Sequence, residues 1–556
     1  MLKNARILFF SFIACAVFAS CGAFTGTSSS SHLKKGPLPE KNVAGPVLNA
    51  SFDNTIDTID AQKAVYATNF EVIGNIMDGL MQMADDGSVQ KAICESEEVS
   101  PDGLIYTFKL RKDAYWSNGV PVTAHDFVYG WERAVSPATE SEYAFMISDI
   151  AQIKNSRAVQ SGQMEPDQLG VKALDNYTLQ VELEVPVSYF DQLLYFCTFY
   201  PANKDFIEKC GDSYATSPET FLCNGAFVLT EYKEKATSIT LTKNTAYYNA
   251  NKIKLAGIHY DIIKDGEEGL RKYNANQLDI VELDGSQVAQ AKSSPDFRSV
   301  PSGFLFYISF NLHDENFANE NLRKAVNFGF DREVIAESIA DGSVAAWTAV
   351  PEGFAFNSKG EDFTKKGIEL PELCRYDVSL ARDYFEKAKQ ELGKRSFNIE
   401  YLVADVEAQR IAAESMKEQL ERNLPGLHLT PRKVPRSERR KIMTRGEYQM
   451  GLTNWGPDYA DPMTYLAMWM TGNDNNTGDY RDPHYDAIIA SCTDGDLCTK
   501  VDERWAALKE AEKMVMGNAI VSPVYQQCNA DLIKPNVKGI AFHAVAINRI
   551  YKNTTK

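Results

Sequence analysis

The chain is poor in the residues that mark common catalytic and metal chemistries. It has seven His in 556 residues (32, 125, 259, 313, 428, 484, 543), and no two stand at i, i+4. There is no His-Glu-x-x-His for zinc, no Gly-x-Ser-x-Gly elbow and no Gly-x-x-x-x-Gly-Lys-Ser/Thr phosphate loop. No Cys-x-x-Cys occurs, so the ten cysteines carry no metal-finger spacing. Positive charge is also short: 58 Lys+Arg stand against 75 Asp+Glu, a net charge of −17. A surface that repels phosphates on average argues against nucleic-acid binding. After the first 20 residues no run of 18 apolar residues follows, so no later transmembrane helix is expected. No internal repeat is visible. An enzyme is not expected, nor are a cofactor or a bound metal.

What is present begins with an export signal. Lys3 and Arg6 precede an apolar run from Ile7 to Ala19, too short for an anchor and right for a secretory h-region. It ends in Phe18-Ala19-Ser20-Cys21, which resembles the lipobox of bacterial lipoproteins and implies cleavage before Cys21 and lipidation there; Phe18 stands where Leu is usual. Residues 1–20 are therefore read as a lipoprotein signal peptide. Residues 21–46, with a Ser run, Pro37 and Pro39, are read as lipidated N-terminus and flexible tether. Without Lys3 and Arg6 the side chains sum to −19. Export permits disulfides, and Cys492/Cys498 and Cys210/Cys223 are near enough in sequence to be candidate pairs, with the connectivity open.

The body mixes strand and helix signals. Leu104–Leu110 and Tyr177–Leu183 alternate as half-buried strands, and Ile239 and Leu241 continue that pattern. Helical stripes run from Asp377 to Gly393, across 404–424, and from Asp502 through Val515. Leu322–Ile335 reads as one amphipathic helix with Ala325, Phe328 and Val334 available for burial. Ser117-Asn118-Gly119 before Pro121 is turn chemistry, leaving Trp116 and Phe127 to the core. Asp461 before Pro462 suits a helix start, with Met463–Met470 as the helix. Layers of both kinds imply an α/β fold.

Six ordered blocks carry a resemblance. They are Tyr106–Phe127 (…Trp-Ser-Asn-Gly-Val-Pro-Val-Thr-Ala-His-Asp-Phe), Asn224-Gly-Ala-Phe-Val-Leu, Leu241-Thr-Lys-Asn-Thr-Ala-Tyr-Tyr, Leu322–Ile335, Trp455-Gly-Pro-Asp-Tyr-Ala-Asp-Pro and Ser522-Pro-Val-Tyr. Together they resemble the family 5 extracellular solute-binding proteins that feed bacterial ABC importers, the oligopeptide-binding members in particular. The resemblance implies a type II periplasmic-binding-protein fold, two lobes around a cleft with an additional third domain. It divides the chain into lobe I (47–77, 201–304 and 526–556), the extra domain (78–200) and lobe II (305–525). It implies an oligopeptide ligand, an ABC permease as partner, a membrane reached through the N-terminal lipid, and a monomer. Asp458 stands where the family's Asp pairs with the α-ammonium of a bound peptide. The backbone-pairing segments fall on Asn454-Trp455-Gly456 and Val65-Tyr66-Ala67, and Asn475-Asn476 resembles a further polar pair on the ligand side. Leu452 stands where an oligopeptide-binding relative has an Arg for the peptide carboxylate, which opens the ligand's length to question. The alternatives are the same fold binding a dipeptide, haem or a metal chelate, or acting as a surface sensor or adhesin.

Overall fold

The computed structural model describes residues 33–556 apart from 53, 86, 234–235, 284, 358, 365–371 and 458. The signal segment, Cys21 and Asp458 therefore lie outside the described residues. Lys35–Lys556 forms one compact unit.

Local sequence accounts for most elements. The Val378–Leu392 helix is capped by the Asp377 side chain, which accepts from Leu380 N, and it ends at Gly393 in the left-handed region. Glu407–Asn423 and Val501–Gly517 are helices at the other expected stripes. The Ile105–Leu110 strand buries Tyr106, Phe108 and Leu110 on one face. Gly119 takes φ +79° in its turn, and Trp116 and Phe127 are buried. One expectation fails: Leu322–Ile335 is not one helix but parts of two, Glu320–Phe328 and Arg332–Ile339. Asp331 breaks the run because its side chain accepts from Glu333 N and Val334 N, starting a new helix there. The new phase leaves Val334 46% exposed while Ala325 and Phe328 are buried.

Three larger sheets organise the body. Val47–Phe52, Gly257–Ile262, Ser238–Lys243 and Phe227–Glu231 lie side by side in that order, the first pair parallel. Cys94–Val99, Ile105–Leu110, Thr178–Glu182 and Val171–Asp175 form an antiparallel sheet. The third has seven strands and is built on two long antiparallel neighbours, Phe297–Phe310 and Val521–Ile533. Ile280–Glu282 pairs with one end of Val521–Ile533, while Met450–Trp455 pairs with the opposite end of Phe297–Phe310. Phe397–Ala404 and Leu427–Val434 extend the sheet in parallel.

The register between the two long strands shifts between Pro301 and Leu305 and again at Phe306/Tyr307. A bulge bends a strand and increases its twist. Side chains hold this one: Ser302 Oγ donates to Gln527 O, and the Gln526 amide donates to the carbonyls of Ser302 and Glu352. On one side of the irregularity Ala530 and Leu532 join an apolar cluster with Val281 and Val288. On the other, Phe306, Ile308 and Phe310 join Val524 and Tyr525 in another. The two bulged strands thus pass from one of these clusters to the other.

The structure corrects the extent of the tether. Residues 36–46 are laid along the body: Gly36 N donates to Gly119 O (2.8 Å), Glu40 N to Thr245 Oγ1 (2.8 Å), and Pro46 O accepts from Ala256 N (2.7 Å). Gly36 lies so close to the Tyr115 ring that a Cβ there would collide with it. Pro37 and Pro39, read as marks of a linker, also lower the entropy that docking costs.

The disulfide candidates are not formed either. Cys94, Cys197, Cys210, Cys223, Cys374, Cys492, Cys498 and Cys528 are all free thiols. Cys223 Sγ accepts from Leu229 N, and Cys492 Sγ lies on Arg504 O, so each serves its own neighbourhood. Burial pushes the Cys223 thiol up to about 12. All except Cys210 are buried. A thiol titration is expected to find Cys210 alone reacting quickly in the native body and all eight after unfolding. Fewer than eight on non-reducing unfolding would reveal a disulfide.

Candidate functional site

The Met450–Trp455 strand has two edges. Along one it pairs with Leu305–Phe310 over its whole length, with Phe306 opposite Asn454 and Leu305 opposite Trp455. Along the other, Phe397–Ala404 covers only Met450 and Gly451. From Thr453 to Trp455 that second edge has no ladder partner among the described residues. An open edge is what an extended peptide needs in order to add itself as a strand.

Arg439 supports this edge from the Arg436–Thr444 helix. Its guanidinium donates to Leu452 O (3.1 Å), Gln409 Oε1 (2.9 Å) and Asn454 Oδ1 (3.1 Å). Burial lowers its pKa. Leu452 itself is wholly buried in the apolar cluster, so its side chain contributes packing and no charge. Trp455 is half-buried, with its indole N–H 3.5 Å from Thr464 Oγ1. Gly456 lies against the Phe304 ring, which is 44% exposed.

The segment after the strand is anchored on both sides of position 458. Pro457 packs on Gly303, where any Cβ would meet the proline ring. The Gly303 carbonyl accepts from the Tyr465 hydroxyl. Tyr459 is 6% exposed and stacks on Tyr189, centroids 5.0 Å apart and planes 11° apart. Asp461 caps Met463 N as expected and also takes both arms of the buried Arg504 guanidinium at 2.8 Å. The helix it starts is shorter than predicted, Met463–Leu466 followed by a 3-10 turn to Trp469.

The other predicted segment lies at the start of a helix. Tyr66 is extended (φ −104°, ψ 146°) and 58% exposed, and Val65 is half-buried. Ala67 departs from the expectation of an extended run, because it opens the Ala67–Ile76 helix and Tyr66 O already accepts from Phe70 N. This helix packs Gly74 on Ile547 and accepts Tyr551 N on Asn75 Oδ1. The 541–550 hairpin beside it reaches back to Gly303, whose N–H donates to Ala544 O (3.2 Å). The two segments thus flank one connected structure that runs through the strand bulge.

Asn476 has a structural role as well as the predicted place on the ligand side. It is 9% exposed, its amide donates to Met470 O and Tyr480 O, and its oxygen accepts from Tyr480 N. These bonds close its own loop and leave one lone pair of its oxygen unused. Asn475 is half-buried beside it, its carbonyl accepting from Thr477 N. Sequence reasoning missed Arg439, Phe304 and Tyr189. Arg439 sits in a run of charged residues that reads as a solvated face, and Tyr189 lies 270 positions from the ring it stacks on.

The family model described as bacterial extracellular solute-binding proteins, family 5, middle region, matches residues 88–477. The chain belongs to this family. Family 5 members bind and carry solutes outside the cytoplasm without transforming them, and the chain is accordingly an extracytoplasmic binding protein with the periplasmic-binding-protein architecture. It is 29% identical to a dipeptide-binding protein of Lactococcus lactis subsp. cremoris, covering 98% of each chain. It is 33% identical to the solved Listeria monocytogenes OppA bound to peptide, covering 92% of this chain and 99% of that one, with a TM-score of 0.66. An unliganded open form of the periplasmic murein tripeptide-binding protein MppA is only 26% identical yet reaches 0.81, over 93% of this chain and 98% of that one. The chain therefore superposes more closely on that open form than on the peptide-bound OppA.

Proposed function

We propose that the protein is a lipid-anchored receptor that captures oligopeptides by closing its cleft and delivers them to an ABC permease. The open edge at Thr453–Trp455 carries this reading, because backbone pairing recognises a peptide of any sequence. Asn454, Trp455 and Gly456 pair with one side of the peptide and the Val65–Tyr66 segment with the other. Asp458 pairs with the α-ammonium; at ~4 Å and an effective ε near 20 the gross attraction is about 4 kcal/mol, with desolvation of both groups taken from it. Leu452 supplies no cation for a terminal carboxylate, so the carboxyl end is left to solvent or to other residues. Lobe I comprises 47–77, 201–304 and 526–556, lobe II 305–525, and the extra domain 78–200. Lobe II swings on the bulge at Ser302–Phe304, and ligand touching both lobes shifts the population toward the closed form. Lipid on Cys21 tethers a monomer to the membrane. Its relatives include dipeptide, oligopeptide and murein peptide binders, which supports a peptide as cargo.

Native mass spectrometry of the mature protein before and after mild unfolding tests this. A set of released peptide masses is the expected result. A single haem, chelate or sugar mass would keep the family and overturn the peptide.

A further inference from the structure

The extra domain touches both sides of the hinge, but in two different ways. To lobe I it is fastened by directional polar contacts. Ser117 N donates to Cys223 O (2.7 Å), and Cys223 N donates to Ser117 Oγ (3.2 Å). Arg133 makes a two-armed ion pair with the buried Asp60 (2.7 and 2.5 Å). Asp126 accepts from Ala202 N through its carbonyl (2.9 Å) and from the Asn203 amide through its carboxylate (3.1 Å). The docked strap adds Gly36 to Gly119 on one side and Glu40 to Thr245 on the other. Such contacts have one geometry, so lobe I and the extra domain move as one body.

Toward lobe II the extra domain sets Gly87 against the Phe356 ring, Gly103 against Thr499, and a ring of its own. Tyr189, 7% exposed, lies flat on Tyr459, and the Arg504 guanidinium sits 5.0 Å from the Tyr189 centroid. Arg504 is itself held by Asp461, the side chains 4% and 3% exposed, so lobe II presents a rigid seat. A cavity of about 310 Å³ opens beside the stack, lined by Ser188, Asp191 and Gln192 on one side and Phe356, Val501 and Trp505 on the other. The cavity is partly open to solvent, so on that side the ring stack borders water rather than packed side chains and is free to slide or part.

Swinging lobe II about the 302–304 bulge carries Tyr459 and Arg504 with it, while Tyr189 stays with lobe I. We propose that the Tyr189 ring, seated on Tyr459 and Arg504, is a latch that holds the open form and sets how readily the cleft closes on its ligand. The inference rests on the hinged-receptor reading above but not on what the ligand is. Breaking the latch raises the closed fraction before ligand arrives, and apparent affinity rises with the competent fraction. An aromatic pair of this kind shifts such an equilibrium by about 2- to 10-fold.

The test uses the full chain with Tyr189→Ala and Tyr189→Phe. Spin labels at Lys254→Cys and Lys441→Cys, with Cys210→Ser, report the distance between lobes without ligand. Titration with a mixture of unblocked alanine peptides of two to five residues reports binding. Tyr189→Ala is expected to enrich the closed-distance population and to tighten binding about 2- to 10-fold, and Tyr189→Phe, which keeps the stack and loses only the hydroxyl's hydrogen bond to Tyr459, to fall between the parent and Tyr189→Ala in both. Tyr189→Leu, which keeps apolar volume without the stack, replaces Tyr189→Ala should that variant melt early. An unchanged distance distribution in the variant overturns the latch, whatever the titration shows. If no peptide binds any form, the peptide reading falls, and the ligand-free distances still decide on the latch.

Discussion

Replacing Asp458 by Asn is expected to cost a bound peptide about 3–5 kcal/mol, a loss of roughly 10²- to 10³-fold or more in affinity. The substitution keeps the shape and removes the charge, so an α-ammonium brought into the cleft loses its partner after giving up its water. The effect should vanish for N-acetylated peptides, which carry no ammonium and should bind parent and variant alike. Calorimetric titration with matched free and acetylated peptides measures both. Equal affinities of parent and Asp458→Asn for free peptides would remove Asp458 from the site. The neighbours make the position suitable, since Pro457 is packed on Gly303 and Tyr459 on Tyr189.

The largest expected effect on stability lies at Arg549. Its guanidinium reaches Asp531 at 2.6 Å, Glu71 at 3.4 Å and Glu282 at 3.6 Å, and the Tyr551 hydroxyl donates to Glu71 at 3.0 Å. Glu71, Asp531 and Arg549 are all buried, which makes this cation the main compensation for two carboxylates in the core. Arg549→Ala leaves them unpaired, with an expected loss of about 3–5 kcal/mol. The pH dependence follows. Burial pushes Glu71 from the usual carboxylate range to about 7, against the lowering pull of Arg549, and burial raises Asp531 as well. A carboxyl whose folded pKa exceeds its unfolded pKa binds more protons when folded, so its contribution falls as pH rises between the two values. Burial likewise pushes Glu512 to about 7, and Asp191, with Glu97 adding to the effect, to about 7. These acids favour higher thermal stability at pH 5.5 than at pH 8. Without Arg549 the pull that lowers Glu71 is gone, so the variant's deficit should be larger at pH 8 than at pH 5.5. A deficit independent of pH would mean that the two acids do not titrate with folding.

Local signals carried much of the fold. Asp377 and Gly393 bound a helix at the residues where a cap and a stop were expected, because capping needs only neighbours in the chain. The same reasoning failed at Asp331, where the apolar spacing on both sides fits a single helix but the side chain bonds its own following amides. At the site, the Trp455–Pro462 block was visible as a motif, whereas the supports of that block were not. Arg439 reaches Asn454 from a helix that is mostly charged, and Asp461 answers both to Met463 and to Arg504 43 positions away. Contacts of this kind depend on how sheets are stacked, and no periodicity within a segment encodes them. Asn476 shows the converse: its loop-closing bonds are invisible in sequence because the carbonyls it meets are brought round only when the loop closes.

The docked strap alters how the body hangs. With residues 36–46 laid against Gly119, Thr245 and Ala256, only residues 22–35 remain between Cys21 and the point of attachment. Fully extended, they span no more than about 50 Å. A body suspended by lipid at Cys21 would be slung from the corner where Gly36 meets Tyr115, like a lantern from a short chain.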